Sequence, residues 1–186
     1  MTKTRRKIIL DYARWTALSA LRMAPVRGRI GVYSLIDTVA FDEILDPVHH
    51  RHEVDFDVWH EKEAQNLCGQ SPNLPIGWAV KLLNVYLKTA AYVGELGRTG
   101  LREALHPPID GGLWSGLKAL SAKKPELVPG NVLAELLKRR GSIGSIKDYE
   151  TYRLIINDCR RVAQAVGCSL LELEQFWLGS ATPRAD

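Results

Sequence analysis

Residues 76–94 constrain the fold of this chain more than any other stretch. Ile76, Trp78, Ala79, Val80, Leu82, Leu83, Val85, Tyr86, Leu87, Ala90, Ala91, Tyr92 and Val93 are broken only by Gly77, Lys81, Asn84, Lys88 and Thr89. The run reads as one long helix, ended by the glycines at 94 and 97. A helix that is apolar on most of its faces lies inside the fold. Yet Lys81, Asn84 and Lys88 fall at i, i+3 and i+7, on one face. Lysines are almost never fully buried unless they are paired. This stripe therefore either reaches solvent or lines a cleft with a carboxylate within reach of an amine.

The rest of the chain also reads as helix. Residues 3–23 set Ile8, Ile9, Tyr12, Trp15, Leu18 and Leu21 near a 3.6-residue period, with Pro25 and Gly28 after them. Further helices are predicted over 31–45, 55–68 with Asp55 or Asp57 as cap, and 99–105. A helix over 111–122 would be capped by Asp110, and one from Asn131 to Arg140 by Asn131. Two more, 146–166 and 169–178, meet at Gly167, and the tail from Gly179 is expected to be loose. No run alternates as a strand does. The expected fold class is all-α, one unit over 1–178.

No stretch approaches the length of a membrane span, and Asp11, Arg14 and Arg22 interrupt the N-terminal apolar run, against a signal-peptide core. Cys68, Cys159 and Cys168 are too few for a disulfide scaffold or a four-cysteine metal site. A cytoplasmic monomer without cofactor or resident metal is expected. The formal charge is +4, unevenly spread. Residues 1–30 carry eight basic side chains and one acidic, 31–66 two and nine, 67–124 seven and three, and 125–186 eight of each. A basic arm and a basic centre suit a polyanion.

Asp110 is the natural partner for the lysine stripe. Residues before prolines are pushed out of helix, so His106 and Pro107 are extended. They deliver Asp110 to the start of the next helix. There it serves as a cap, and the helix end favours its ionised form.

These residues resemble a known family. Leu74-Pro75, Gly77, Lys81 and Asn84, followed by Pro108-Ile109-Asp110, look like the helix-hairpin-helix (HhH-GPD) DNA glycosylases. Their signature is roughly L-P-G-V-G-x-K-T-A-N, then P-V-D at the head of another helix. The separation of 29 positions between Lys81 and Asp110 is nearest to the archaeal 8-oxoguanine glycosylase branch. The resemblance covers about residues 71–120. It implies two helical lobes with a cleft between them, Lys81 as the nucleophile that attacks the sugar carbon, and Asp110 as the carboxylate that supports the cationic sugar. It also implies DNA contacts at Gly77 and Asn84, a base flipped out of double-stranded DNA, and a Schiff base that permits strand cleavage.

This chain departs from the signature in three ways. It has one hairpin glycine instead of two, seven positions from Leu74 to Lys81 instead of six, and Leu82-Leu83 in place of Thr-Ala. Lys88, two turns on, is a rival nucleophile. Trp59, Trp78, Trp114 and Trp177 are candidates to stack on the base or wedge into the gap, and core packing is their other reading. Arg5, Arg6 and Lys7 in the arm, and Arg139 and Arg140 before Gly141, are expected phosphate contacts. For the latter pair the other reading is a basic last turn facing the helix dipole.

Other constellations are weaker. His49, His50 and His52 read as a solvated loop, not a metal site. His60-Glu61 lacks the second histidine of a zinc-protease motif. Arg102 and His106 fall one residue short of a helical RNase pattern. The sequence reading is a DNA glycosylase that excises a damaged or modified base, with phage DNA in antiviral defence as one source. The alternatives are a non-catalytic helical nucleic-acid binder and a helical RNase toxin.

Overall fold

The computed structural model describes residues 1–26, 32–46, 55–123, 128 and 130–179. Among the described residues every regular element is helical, as expected of an all-α chain. The His49–His52 cluster, most of the 125–130 loop and the tail beyond Gly179 lie outside them.

The first helix, α1, spans Lys3–Ala20, and a 3₁₀ turn continues it over Leu21–Met23. Thr2 caps it, its hydroxyl accepting from the Arg5 N–H at 3.2 Å. Ala13 and Ala17, one turn apart and fully buried, turn the helix toward the interior. The hydroxyls of Thr16 and Thr89 meet there at 3.0 Å. Small side chains on this face let two helix backbones approach closely.

The predicted helix over 31–45 is instead a 3₁₀ turn, Val32–Thr38, and a single α-turn, α2, Asp42–Leu45. Tertiary packing outweighs local pattern here. Phe41 lies flat on Tyr86, with ring centroids 3.8 Å apart. Buried Glu63 accepts from the Ala40 N–H at 3.4 Å. β-branched Val32, Ile36, Thr38 and Val39 offer little helix propensity against this.

α3 spans Phe56–Gln70, and Asp55 is the cap, its carboxylate accepting from the N–H groups of Asp57 and Val58. α4 spans Ile76–Leu87, and all of it is buried except Lys81 and Val85. The α geometry stops at Lys88, short of the predicted end at 94, and one π-helical stretch runs over Lys88–Val93. Thr89 donates its hydroxyl to the Val85 carbonyl. Such back-bonding bends helices and loosens the ladder that follows.

α5 is short, Leu101–Ala104, and α6 spans Gly111–Lys123. α7 spans Gly130–Lys138, so Asn131 sits inside the helix and is not its cap. α8 spans Tyr149–Val166, later than the predicted start at 146 because a 3₁₀ turn, Ile143–Ser145, precedes it and Asp148 caps it. Gly167 ends α8 with φ of 76°. The predicted last helix is a 3₁₀ turn over Leu171–Phe176. The chain leaves helix there because the Leu178 N–H donates to the Gly112 carbonyl at 3.0 Å.

A candidate active site at the head of α6

Asp110 stands where the extended segment 106–110 meets α6. One carboxylate oxygen, Oδ1, accepts from the backbone N–H groups of Gly112 at 3.0 Å and Leu113 at 3.2 Å. It also accepts from the Trp177 indole at 2.9 Å. The other oxygen, Oδ2, accepts from Lys81 Nζ at 3.2 Å. The Lys81 and Asp110 side chains are only 15% and 18% exposed. The pairing of the lysine stripe with Asp110 is therefore present, and so is the cap. Trp78 lies beside Lys81, its ring centre 5.7 Å from Nζ.

Lys88 has its own carboxylate. Its ammonium donates to Glu174 at 2.6 Å. Burial pushes the Glu174 carboxyl upward from its usual range, and Lys88 opposes that shift. Asp110, Lys88, Glu174 and Trp177, with Val85 and Pro108, line a cleft of about 300 Å³. A second cavity of about 650 Å³ shares Lys88 and Glu174 and continues past Tyr92, Glu172 and Gln175. In it the Tyr92 hydroxyl donates to Glu172 at 3.0 Å.

Trp177 reaches Asp110 because α6 begins with small residues. A Cβ on Gly112 would lie 2.1 Å from the Trp177 indole nitrogen, and one on Gly116 would lie 1.6 Å from the Phe176 carbonyl oxygen. The glycines let the last described segment lie directly on the helix. Trp177, 40% exposed, is the only one of the four candidate tryptophans at the cleft. Trp59 and Trp114 are buried among apolar side chains, and Trp78, buried too, has one ring face under the Lys81 ammonium.

Several predicted contacts point inward instead. Asn84 is buried, with its amide bonded to His60, Tyr152 and the Pro107 carbonyl, so it cannot meet DNA. Gly77 donates its N–H to Ile146 at 3.3 Å, and a Cβ there would lie 2.0 Å from the Ile143 carbonyl oxygen. Its backbone is thus packed against the loop before α8 and does not grip a phosphate. His106 is buried too, and Arg102 pairs with Glu95, which removes the RNase pairing.

Of the basic arm, Arg5 is exposed. Arg6 donates to the Leu45 carbonyl and lies 3.6 Å from Asp42, and Lys7 pairs with Asp11. Arg139 pairs with Asp158, and Arg140 is exposed. Tyr12 and Trp15 stack at 5.6 Å on the exposed side of α1.

Glu174 was not singled out by the sequence. Its one signal was indirect: a second lysine in the stripe called for either solvent or a second carboxylate. Among the described residues no group of acidic, histidine and cysteine side chains is arranged to hold a metal ion. No helix among them is long and apolar enough to cross a membrane. No family model matches the chain, and neither the curated proteins nor the solved structures yield a match.

Proposed function

We propose that the protein is a DNA glycosylase whose reacting groups are Lys81 and Asp110. One observation carries the reading: an amine and a carboxylate 29 residues apart meet at 3.2 Å beside a cleft that also holds an aromatic ring and a second amine–carboxylate pair. Breaking an N-glycosidic bond leaves the electron pair on the base and builds positive charge on the sugar. The Asp110 carboxylate is placed to oppose that charge. The departing base takes up a proton, and Lys81 has one to give. The resulting amine attacks the sugar carbon C1′, and as the C1′–O4′ bond breaks one amine proton passes to O4′, leaving a protonated Schiff base and an open sugar.

The remaining cleft groups suit recognition. Lys88 offers donors and Glu174 an acceptor to the edge of an extruded base, and Trp177 offers a ring to stack on it. The adjoining cavity leaves room for a base larger than the usual four, which favours a modified base as substrate. Such bases occur in phage DNA, so antiviral defence is the corresponding biological reading. Exposed Arg5 and Arg140 supply phosphate contacts, and the Tyr12–Trp15 stack supplies aromatic surface beside the arm.

The test is base release from a panel of duplexes carrying modified bases, with borohydride added to reduce any Schiff base. Release with a trapped protein–DNA adduct that disappears in Lys81→Ala is the expected result. Trapping lost in Lys88→Ala but kept in Lys81→Ala would move the nucleophile two turns along α4. Binding without release on every duplex would reduce the protein to a nucleic-acid binder.

A further inference from the structure

Behind the site, polar side chains from four parts of the chain form one connected hydrogen-bond chain, buried except at its half-exposed end, Asp57, whose carboxylate also accepts from Arg160. It runs from Asp57 and His60 on α3 through Asn84 on α4 and His106 to Tyr149 and Tyr152 on α8. His106 Nε2 meets Asp57 Oδ1 at 2.9 Å, and His106 Nδ1 meets the Tyr152 hydroxyl at 3.0 Å. Asn84 Nδ2 donates to that hydroxyl at 2.9 Å and to the Pro107 carbonyl at 3.1 Å. Asn84 Oδ1 meets His60 Nε2 at 2.8 Å, and His60 Nδ1 meets the Tyr149 hydroxyl at 2.8 Å. His60, Asn84, His106 and Tyr152 are all at most 3% exposed.

The proton positions in this chain follow from its two ends. A backbone carbonyl only accepts, so the Pro107 contact fixes which end of the Asn84 amide carries the nitrogen. Tyr152 then accepts from Asn84 and gives its own proton to His106 Nδ1. His106 must carry its proton on Nε2, where the Asp57 carboxylate accepts it. The Asp57 end, taken alone, gives the same order. On the other side Asn84 Oδ1 accepts from His60 Nε2, and His60 Nδ1 accepts from Tyr149. Every donor in the chain has an acceptor. Both histidines are neutral in this arrangement, in keeping with the way burial lowers the affinity of each for a further proton.

Asn84 is on the helix that carries Lys81, one turn away. The carbonyl that it holds belongs to the strap that ends in Asp110. We propose that Asn84, Tyr152 and His106 are positioning residues, whose proton-ordered chain sets the 106–110 strap against α4 and thereby sets the Asp110 carboxylate against Lys81. This rests on the glycosylase reading for its consequence in rate, but not for its geometry. Buried apolar side chains at Leu105 and Ile109 hold the strap down without fixing its register. The directional bonds at His106 and Pro107 supply the register.

Tyr152→Phe deletes one hydroxyl in the middle of the chain. It leaves an acceptor on His106 and a donor on Asn84 without a partner. Single-turnover base release is expected to fall tenfold or more with unchanged DNA affinity, since ~1 Å of misplacement can cost about 10² in rate. Combined with Asp110→Asn, it should add little further loss, because both changes act through one carboxylate. Multiplicative losses would overturn the proposal. The Trp177 indole proton, bonded to Asp110, gives a reading that needs no activity. Its resonance, assigned with Trp177→Phe, should shift in Tyr152→Phe, and an unmoved resonance would overturn the proposal even if the rate falls. If the wild type releases no base, the glycosylase reading fails and the indole shift still decides the positioning. Should Tyr152→Phe fail to fold, His106→Gln carries the same two expectations. It keeps a donor for Asp57 but puts no acceptor at the Nδ1 position.

Discussion

Asp110→Asn separates the two jobs that one side chain does here. Three N–H donors, from Gly112, Leu113 and Trp177, converge on Oδ1. An asparagine must present its carbonyl oxygen to them, because its NH₂ would meet three donors with a donor. The amide nitrogen is then turned toward Lys81, where an acceptor stood at 3.2 Å. The cap survives, since Asn and Asp cap helices about equally well. What is lost is one charge-assisted hydrogen bond between side chains that are mostly shielded from water, about 1.5–3 kcal/mol. For a domain of this size that lowers Tm by roughly 3–12 °C. A native state with the usual stability of about 5–15 kcal/mol remains folded under assay conditions. The chemical step should suffer separately. Deleting one preorganised electrostatic group costs about 10²–10³ in rate. Single-turnover base release and thermal unfolding, measured on the same preparation, give both numbers. A rate within threefold of wild type, with the expected fall in Tm, would refute a role for Asp110 in the reaction and leave it as a cap and ion-pair partner.

Three further outcomes are expected. Arg5→Ala should reduce the slope of log affinity against log salt by about one, whereas Arg6→Ala, already committed to Leu45 and Asp42, should leave it nearly unchanged; titrations at several salt concentrations read both. Stability should fall on acidification from pH 7 to 5: burial lowers the folded-state pKa of His60 and His106 below 6.5, so protons bind the unfolded chain first and the stabilisation, complete above about pH 6.5, is lost as pH falls through the folded values. Thermal melts across that range should show a flatter dependence in His60→Gln. Gly116→Ala should destabilise by about 1–3 kcal/mol through overpacking against the Phe176 carbonyl, while Gly69→Ala in α3, with nothing within 4 Å of the added carbon, should be neutral or stabilise by up to ~1 kcal/mol in a denaturant titration.

The long apolar run was legible because periodicity reports burial, and α4 is buried at every residue but Lys81 and Val85. Lys81, Lys88 and Asp110 were legible for a related reason: a charge on an otherwise apolar face needs a partner, and a helix start preceded by prolines presents one. The stripe misled at Asn84. On the helix face it sits between two lysines, but an amide can be satisfied entirely by buried partners, and here it is. Those partners, His60, Tyr152 and the Pro107 carbonyl, are 24, 68 and 23 positions away, and no local pattern announces them. Glu174 and the contact of Trp177 with Asp110 were hidden in the same way, 86 and 67 positions from their partners. The DNA contact at Gly77 was implied by the resemblance alone, and the close approach that this glycine permits is made by the chain's own Ile143.

The strap from His106 to Asp110 shows how the ordering of a segment and its placement are divided between different residues. Five residues outside any helix would ordinarily lose about 1–2 kcal/mol each of backbone entropy on folding. Pro107 and Pro108 have much of that freedom removed already in the unfolded chain. Each also restricts the residue before it, so His106 and Pro107 are extended whether or not the protein is folded. Leu105 and Ile109, both buried, then add roughly 1.5–3 kcal/mol each of apolar burial. Neither contribution is directional: a strap so held could slide by a fraction of an ångström at little cost. The Asn84 bond to the Pro107 carbonyl and the His106 bonds to Asp57 and Tyr152 are directional, and each would be lengthened and misaligned by such a slide. Prolines and apolar anchors therefore account for the strap being ordered, and the buried polar chain accounts for where it is ordered. Only the second matters to a carboxylate that has to meet an amine at 3.2 Å.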